Sequence, residues 1–211
     1  MKIYELEQLP YFSIQEIRNI FWQKADITIK EILVREVKNK SIYRLKKGFY
    51  VSDNFLKYKK SSWYEYFIAN QIYWPSYISW VTALDYYWIF SESSFGIVSI
   101  TSNKTFKISN IVWQFIYKNI KSELFQWFEN IRIWDYEVYF ATKAKALFDY
   151  LRYQKSKIQK FTIENIESFR LNFDILKKKD IEEFKKYCVL SGSEKMINIY
   201  NLIKEKCEQK M

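Results

Sequence analysis

The sequence predicts an α+β protein in two unequal parts, and three observations carry that reading. Two stretches with apolar residues at helical spacing precede a lysine-rich hairpin pattern within residues 13–51. Strand-like runs then fall between 96 and 142, and helical patterns return from 142 to the end. Apolar residues make up 49% of the 211 and charged residues 27%, which is too apolar for intrinsic disorder and enough to bury a sizeable core. Residues 1–57 are expected to form one domain and residues 61–211 another, with a polar stretch at "KYKKSSWYEY" joining them.

The first helix is read from "FSIQEIRNIF". Ser13 is its N-cap, Glu16 closes a capping box, and Ile14, Ile17, Ile20 and Phe21 share one face. "ITIKEILVREVKN" supplies the second, with Ile29, Ile32, Leu33 and Val37 turned inward and Thr28, Glu31, Arg35 and Lys38 outward. In "SIYRLKKGFYV" apolar Ile42, Tyr43 and Leu45 mix with Arg44, Lys46 and Lys47 before a turn at Gly48, the pattern of a β-hairpin with a basic tip. Two helices followed by a basic two-stranded wing is the winged helix-turn-helix plan, in which a helix face enters the major groove and the wing touches phosphate or the minor groove.

Charge supports a polyanionic partner. Positive residues outnumber negative by 34 to 24, and residues 30–60 hold ten positive against three negative, a net of +7. The residues expected at double-stranded DNA are Thr28, Lys30, Arg35, Lys38, Arg44, Lys46 and Lys47. The competing reading is a protein-interaction module on the same plan that binds no DNA.

The larger part is expected to be mixed α+β with closing helices. Ser79 can cap a helix carrying Ala83, Leu84 and Tyr87; strands are read at "GIVSITS", "KTFKIS", "WQFIYKNI" and "YEVYFAT". Thr142 caps "KAKALFDYLRY", and "TIENIESF", "KKDIEEFKKYCVL" and "SEKMINIYNLIKEKC" follow. Residues 66–84 are uncharged and long enough to span a membrane, but Asn70, Gln71, Pro75, Ser76 and Ser79 interrupt them, so no membrane partner is expected. An acidic start without a basic-then-apolar run points to the cytoplasm.

Catalytic chemistry is hard to assemble. With no histidine and only Cys188 and Cys207, a zinc site or a His-based triad is excluded, and no cofactor is expected. Gly48, Gly96 and Gly192 stand apart, and "SGSEK" lacks phosphate-loop spacing. Asp149 sits among apolar residues at helical spacing and is expected to anchor a hydrogen bond rather than do chemistry.

The segments "LPYFSIQEI", "IYRLKKGFYV", "IANQIYWPSYIS", "TALDYYWIF", Ile100–Thr105, "KAKALFDYL" and "FRLNFDILK", in this order and spacing, resemble the AbiEi-type antitoxins of bacterial type IV toxin–antitoxin and abortive-infection systems. The resemblance spans nearly the whole chain. It implies a winged-helix domain that represses its own operon, a C-terminal domain that counters a nucleotidyltransferase-fold toxin with or without touching it, and no catalysis by the antitoxin. The chain departs from the family at Trp88, where glycine is usual, and at Trp74.

Composition extends that departure. About 15 glycines are expected in a chain of this length, yet three are present beside eight tryptophans. Trp22, Trp74, Trp88, Trp113, Trp127 and Trp134 fall where turns or strand starts favour glycine. A gene in which UGA encodes glycine, translated with UGA as tryptophan, would produce this pattern. The competing reading is that the indoles fill an already aromatic core.

Overall fold

The computed structural model describes residues 6–61, 63–90, 95–133, 136–156 and 162–208; Trp134 lies outside them. The chain is α+β, with a three-stranded and a six-stranded sheet. After a 3-10 turn at Leu6–Gln8 come β1 (Phe12–Ser13), α1 (Ile14–Ile20), α2 (Asp26–Lys38), β2 (Ile42–Lys46), β3 (Phe49–Ser52) and α3 (Asp53–Tyr58). β3 lies between β1 and β2, antiparallel to both. The expected capping box starts α1: the Glu16 carboxylate accepts from the Ser13 backbone N–H at 2.5 Å, and the Ser13 hydroxyl accepts from the Glu16 N–H at 3.4 Å. Gly48 occupies the left-handed region at φ +81° in the turn between β2 and β3. Its carbonyl accepts from the Ile14 N–H at 2.9 Å, which pins the hairpin turn to the start of α1.

The second part continues with α4 (Tyr64–Ile72), β4 (Ser76–Ile78), α5 (Trp80–Tyr86), β5 (Ile97–Thr101), β6 (Phe106–Ser109), β7 (Gln114–Asn119), β8 (Phe128–Ile133) and β9 (Tyr136–Ala141). α6 (Lys143–Gln154), α7 (Ile163–Glu167), α8 (Lys178–Leu190) and α9 (Glu194–Glu208) close it. The sheet order is β6-β7-β5-β4-β9-β8, with β5/β7 and β4/β9 parallel and the other pairs antiparallel. Central β5 is buried along its whole length, as a strand covered on both faces must be, while edge strand β6 is mostly exposed. β4 and β8 are strands that the sequence pattern did not reveal.

The apolar stretch at 66–84 is divided among α4, β4 and α5, and no helix among the described residues is long and apolar enough to cross a membrane. Ser79 occupies the N-cap position of α5, but its hydroxyl makes no capping bond; it donates instead to Asp149 at 2.8 Å. Thr142 caps α6 as expected, accepting from the Lys145 N–H at 3.2 Å.

Among the described residues two apolar clusters form the core. Leu6, Phe12, Ile17, Ile29, Leu33 and Ile42 form the smaller one, between the first helices and the three-stranded sheet. Leu45, Val51 and Phe55 belong to the larger cluster with the six-stranded sheet and its helices. The β2–β3 ribbon therefore buries side chains in both. Polar contacts follow the same seam: the Tyr64 hydroxyl donates to Pro10 O at 2.6 Å, and Asn110 Nδ2 donates to Leu45 O at 3.0 Å.

The tryptophan positions divide. Trp88 and Trp127 have φ of +60° and +62°, and so does Trp80, at +56°, which the sequence pattern did not single out. Trp22, Trp74 and Trp113 are outside the left-handed region but expose 76%, 56% and 49% of their surface.

Candidate nucleic-acid interface

α2 is anchored by Ile29 and Leu33, which are 2% and 5% exposed. Ile32 and the Glu36 side chain are half-buried beside them. Val37, expected inward, is 36% exposed. With about 100° per residue, burial at 29, 32, 33 and 36 centres the outward face on Ile27 and Lys38, with Glu31 and Val34 beside them, Lys30 towards one edge and Arg35 and Thr28 towards the other. Thr28 is half-buried on the flank. Arg35 is exposed on the other side of Glu31, and its guanidinium bonds the Glu36 carboxylate at 3.1 Å. Lys30 and Lys38 are exposed. Ile27 and Val34, each 70% exposed, are the residues the sequence reading missed. The signal that could have found them is the helical phase set by Ile29, Ile32 and Leu33 without Val37.

The hairpin tip carries its charges in two different ways. Arg44 and Lys47 are exposed, with Arg44 Nε donating to Lys46 O at 3.4 Å. Lys46 turns inward. Its ammonium donates to Ile72 O at 2.6 Å and Gln71 O at 3.4 Å, the last carbonyls of α4, and lies 4.0 Å from the centre of the Phe49 ring. Burial lowers its pKa from the ordinary lysine value. A bulge in the β2–β3 register between Arg44 and Lys46 accompanies this turn. Of the seven residues expected at DNA, Lys30, Arg35, Lys38, Arg44 and Lys47 are thus exposed cations, Thr28 stands at the margin, and Lys46 holds the ribbon against α4.

The one acid singled out in the sequence lies elsewhere and is closed off. Lys145 and Asp149 both have fully buried side chains, one helical turn apart on α6, with Nζ–Oδ1 at 2.7 Å. Asp149 Oδ2 accepts from the Ser79 hydroxyl at 2.8 Å and the Tyr77 hydroxyl at 3.0 Å. The ammonium also lies 4.9 Å from the centre of the Phe148 ring. Burial lowers the Lys145 pKa while the Asp149 charge opposes that shift; burial, reinforced by Asp149, raises the Tyr77 hydroxyl well above its ordinary value. Such a cluster ties β4 and the start of α5 to α6. With no solvent-exposed atom on the pair, it offers a substrate nothing to meet, and the expected hydrogen-bonding role of Asp149 is what the geometry provides. Comparison with models of known protein families gives no match, and comparison with curated proteins gives none either.

Proposed function

We propose that the chain binds double-stranded DNA through a winged helix-turn-helix made of β1, α1, α2 and the β2–β3 wing, and that it represses its own operon. The observation that supports this best is the exposure of five cations, Lys30, Arg35 and Lys38 on the outward side of α2 and Arg44 and Lys47 at the β2–β3 tip. Phosphate contacts supply most non-specific affinity for DNA, and a helix of this width fits the major groove. The antitoxin role, countering a nucleotidyltransferase-fold toxin, is supported by the resemblance of the "IANQIYWPSYIS", "TALDYYWIF" and "KAKALFDYL" segments to the AbiEi-type antitoxins. On this reading the chain acts by binding and not by catalysis.

A reporter driven by the region upstream of the chain's own reading frame tests the repressor role. Expression of the full chain is expected to lower its output, while an unrelated promoter is unaffected; equal output with and without the chain would refute it. Co-expression with the product of a neighbouring nucleotidyltransferase-fold gene tests the antitoxin role separately. Rescue of growth supports it, and continued arrest in the presence of folded chain counts against it.

A further inference from the structure

The outward face of α2 says what kind of DNA it suits, an inference that rests on the DNA-binding role proposed above. Isolated exposed apolar residues need no explanation, but Ile27 and Val34, each 70% exposed, lie with Lys38 about the middle of this face, with Lys30 towards its edge. Glu31 is the carboxylate on the same face; Arg35 flanks it. Four cations around two small branched apolar groups fit a polyanion better than an apolar protein surface, with Lys24 the fourth, in the turn before the helix. Among base edges in the major groove, the thymine methyl is the apolar feature. We propose that Ile27 and Val34 read thymine methyl groups. Seven residues of helix span about 10.5 Å, and base pairs stack about 3.4 Å apart, so the two thymines should lie about three base pairs apart.

Selection of bound duplexes from a randomised pool by the full chain tests this, run once with thymidine and once with deoxyuridine in its place. The parent chain should select thymine at two positions about three base pairs apart, and that preference should vanish in the deoxyuridine pool. The Ile27→Ser/Val34→Ser double variant should lose the preference while keeping the salt dependence of binding. The same consensus from both pools, or from parent and variant, would overturn the methyl reading while leaving DNA binding intact. Absence of any binding would remove the DNA-binding role itself, and this inference with it.

A second inference stands on the backbone alone. Among the described residues five that are not glycine have left-handed φ, namely Lys40, Trp80, Trp88, Trp127 and Arg170, so three of the five are tryptophan although tryptophan is eight of 211 residues. A bulky side chain in this region is a steric outlier. Where the chain does have glycine, Gly48 and Gly192 take up such angles at φ +81° and +59°. α5 ends in a Schellman motif: the Ile89 N–H donates to Leu84 O and the Trp88 N–H to Asp85 O, each at 2.9 Å, with Trp88 at the left-handed position that glycine ordinarily fills. The Trp88 side chain gains little packing in return, since the residue is 79% exposed. We infer that positions 80, 88 and 127 are glycine in the native protein, their codons being UGA read as glycine in the source.

The codons and the protein itself decide this. Peptides of the native protein spanning 80, 88 and 127 should contain glycine by mass spectrometry; tryptophan there, or UGG codons in the gene, would overturn the inference. In the recombinant chain, Trp88→Gly should raise the urea midpoint, whereas Trp88→Ala, which keeps a Cβ at the same backbone angle, should raise it less. Trp63→Gly is the contrast, because Trp63 has φ −104° and packs edge-on against Tyr66 and Tyr86, so that change should lower the midpoint. A midpoint lowered by Trp88→Gly would show that the indole belongs at that position.

Discussion

Replacing Lys145 with methionine is expected to destabilise the chain by about 3–5 kcal/mol, the usual effect of removing one partner from a buried ion pair. Asp149 would then keep the Tyr77 and Ser79 hydroxyls as donors but no longer have the cation paired with it, and both side chains of the pair are fully buried. Adding Asp149→Asn should recover much of the stability, since an amide oxygen still accepts from the two hydroxyls and no buried charge remains. Urea unfolding of the single and double variants measures both quantities. A change under about 1 kcal/mol for the single variant would mean that water reaches Asp149, contrary to the closed geometry. DNA binding by the double variant should match the parent, because the pair lies on α6, in the part of the chain that carries the six-stranded sheet.

Neutralising the exposed cations is the other large effect. With Lys30, Arg35, Lys38, Arg44 and Lys47 all changed to alanine, the slope of log affinity against log salt should flatten by about 0.9 for each phosphate no longer neutralised, or about 4.5 units if all five cations touch phosphate. Affinity at low salt should fall by orders of magnitude. Arg35 is the member with a second allegiance, to Glu36, so its share is the smallest expected. Lys46→Ala is the contrast within the same hairpin: its ammonium is already held by Ile72 O and Gln71 O, so the salt slope should stay where it is while the urea midpoint drops. An unchanged slope in the five-residue variant, checked for folding by circular dichroism, would remove these five cations from any role at DNA.

Local patterns were the legible part of this fold. The Ser13–Glu16 box, the apolar phase of α1, the basic hairpin turning at Gly48, and the Thr142 cap of α6 all lie within a few residues of sequence, where backbone geometry and side-chain chemistry act together. Partners distant in sequence were not legible. Ser79 reads as a cap because of its position before a helical pattern, and only the approach of α6 shows its hydroxyl turned to Asp149. The i,i+4 spacing of Lys145 and Asp149 is visible in "KALFD", yet their burial depends on Tyr77, Phe148 and Tyr187 closing over them. β4 has three residues, too few for an alternation to register.

The candidate interface was legible to within one step of helical phase. Including Val37 among the buried positions rotated the expected outward face of α2 towards Thr28 and Arg35, and hid Ile27 and Val34 from view. Lys46 was misplaced for a different reason: alternation along β2 does not reveal a bulge, and the bulge between Arg44 and Lys46 falls where the lysine turns to α4. Trp80 escaped notice because Ser79 reads as a helix N-cap and so places Trp80 at the first helical position; its left-handed backbone is a property of the β4–α5 junction as folded.

Fluorescence anisotropy of the full chain against a labelled duplex from upstream of its own reading frame, titrated at several salt concentrations between about 50 and 200 mM, tests the DNA-binding role most directly. Affinity is expected to be at least about 1,000-fold tighter than for an unrelated duplex of equal length and to fall steeply as salt rises. Equal affinity for the two duplexes, or binding that does not respond to salt, would contradict it.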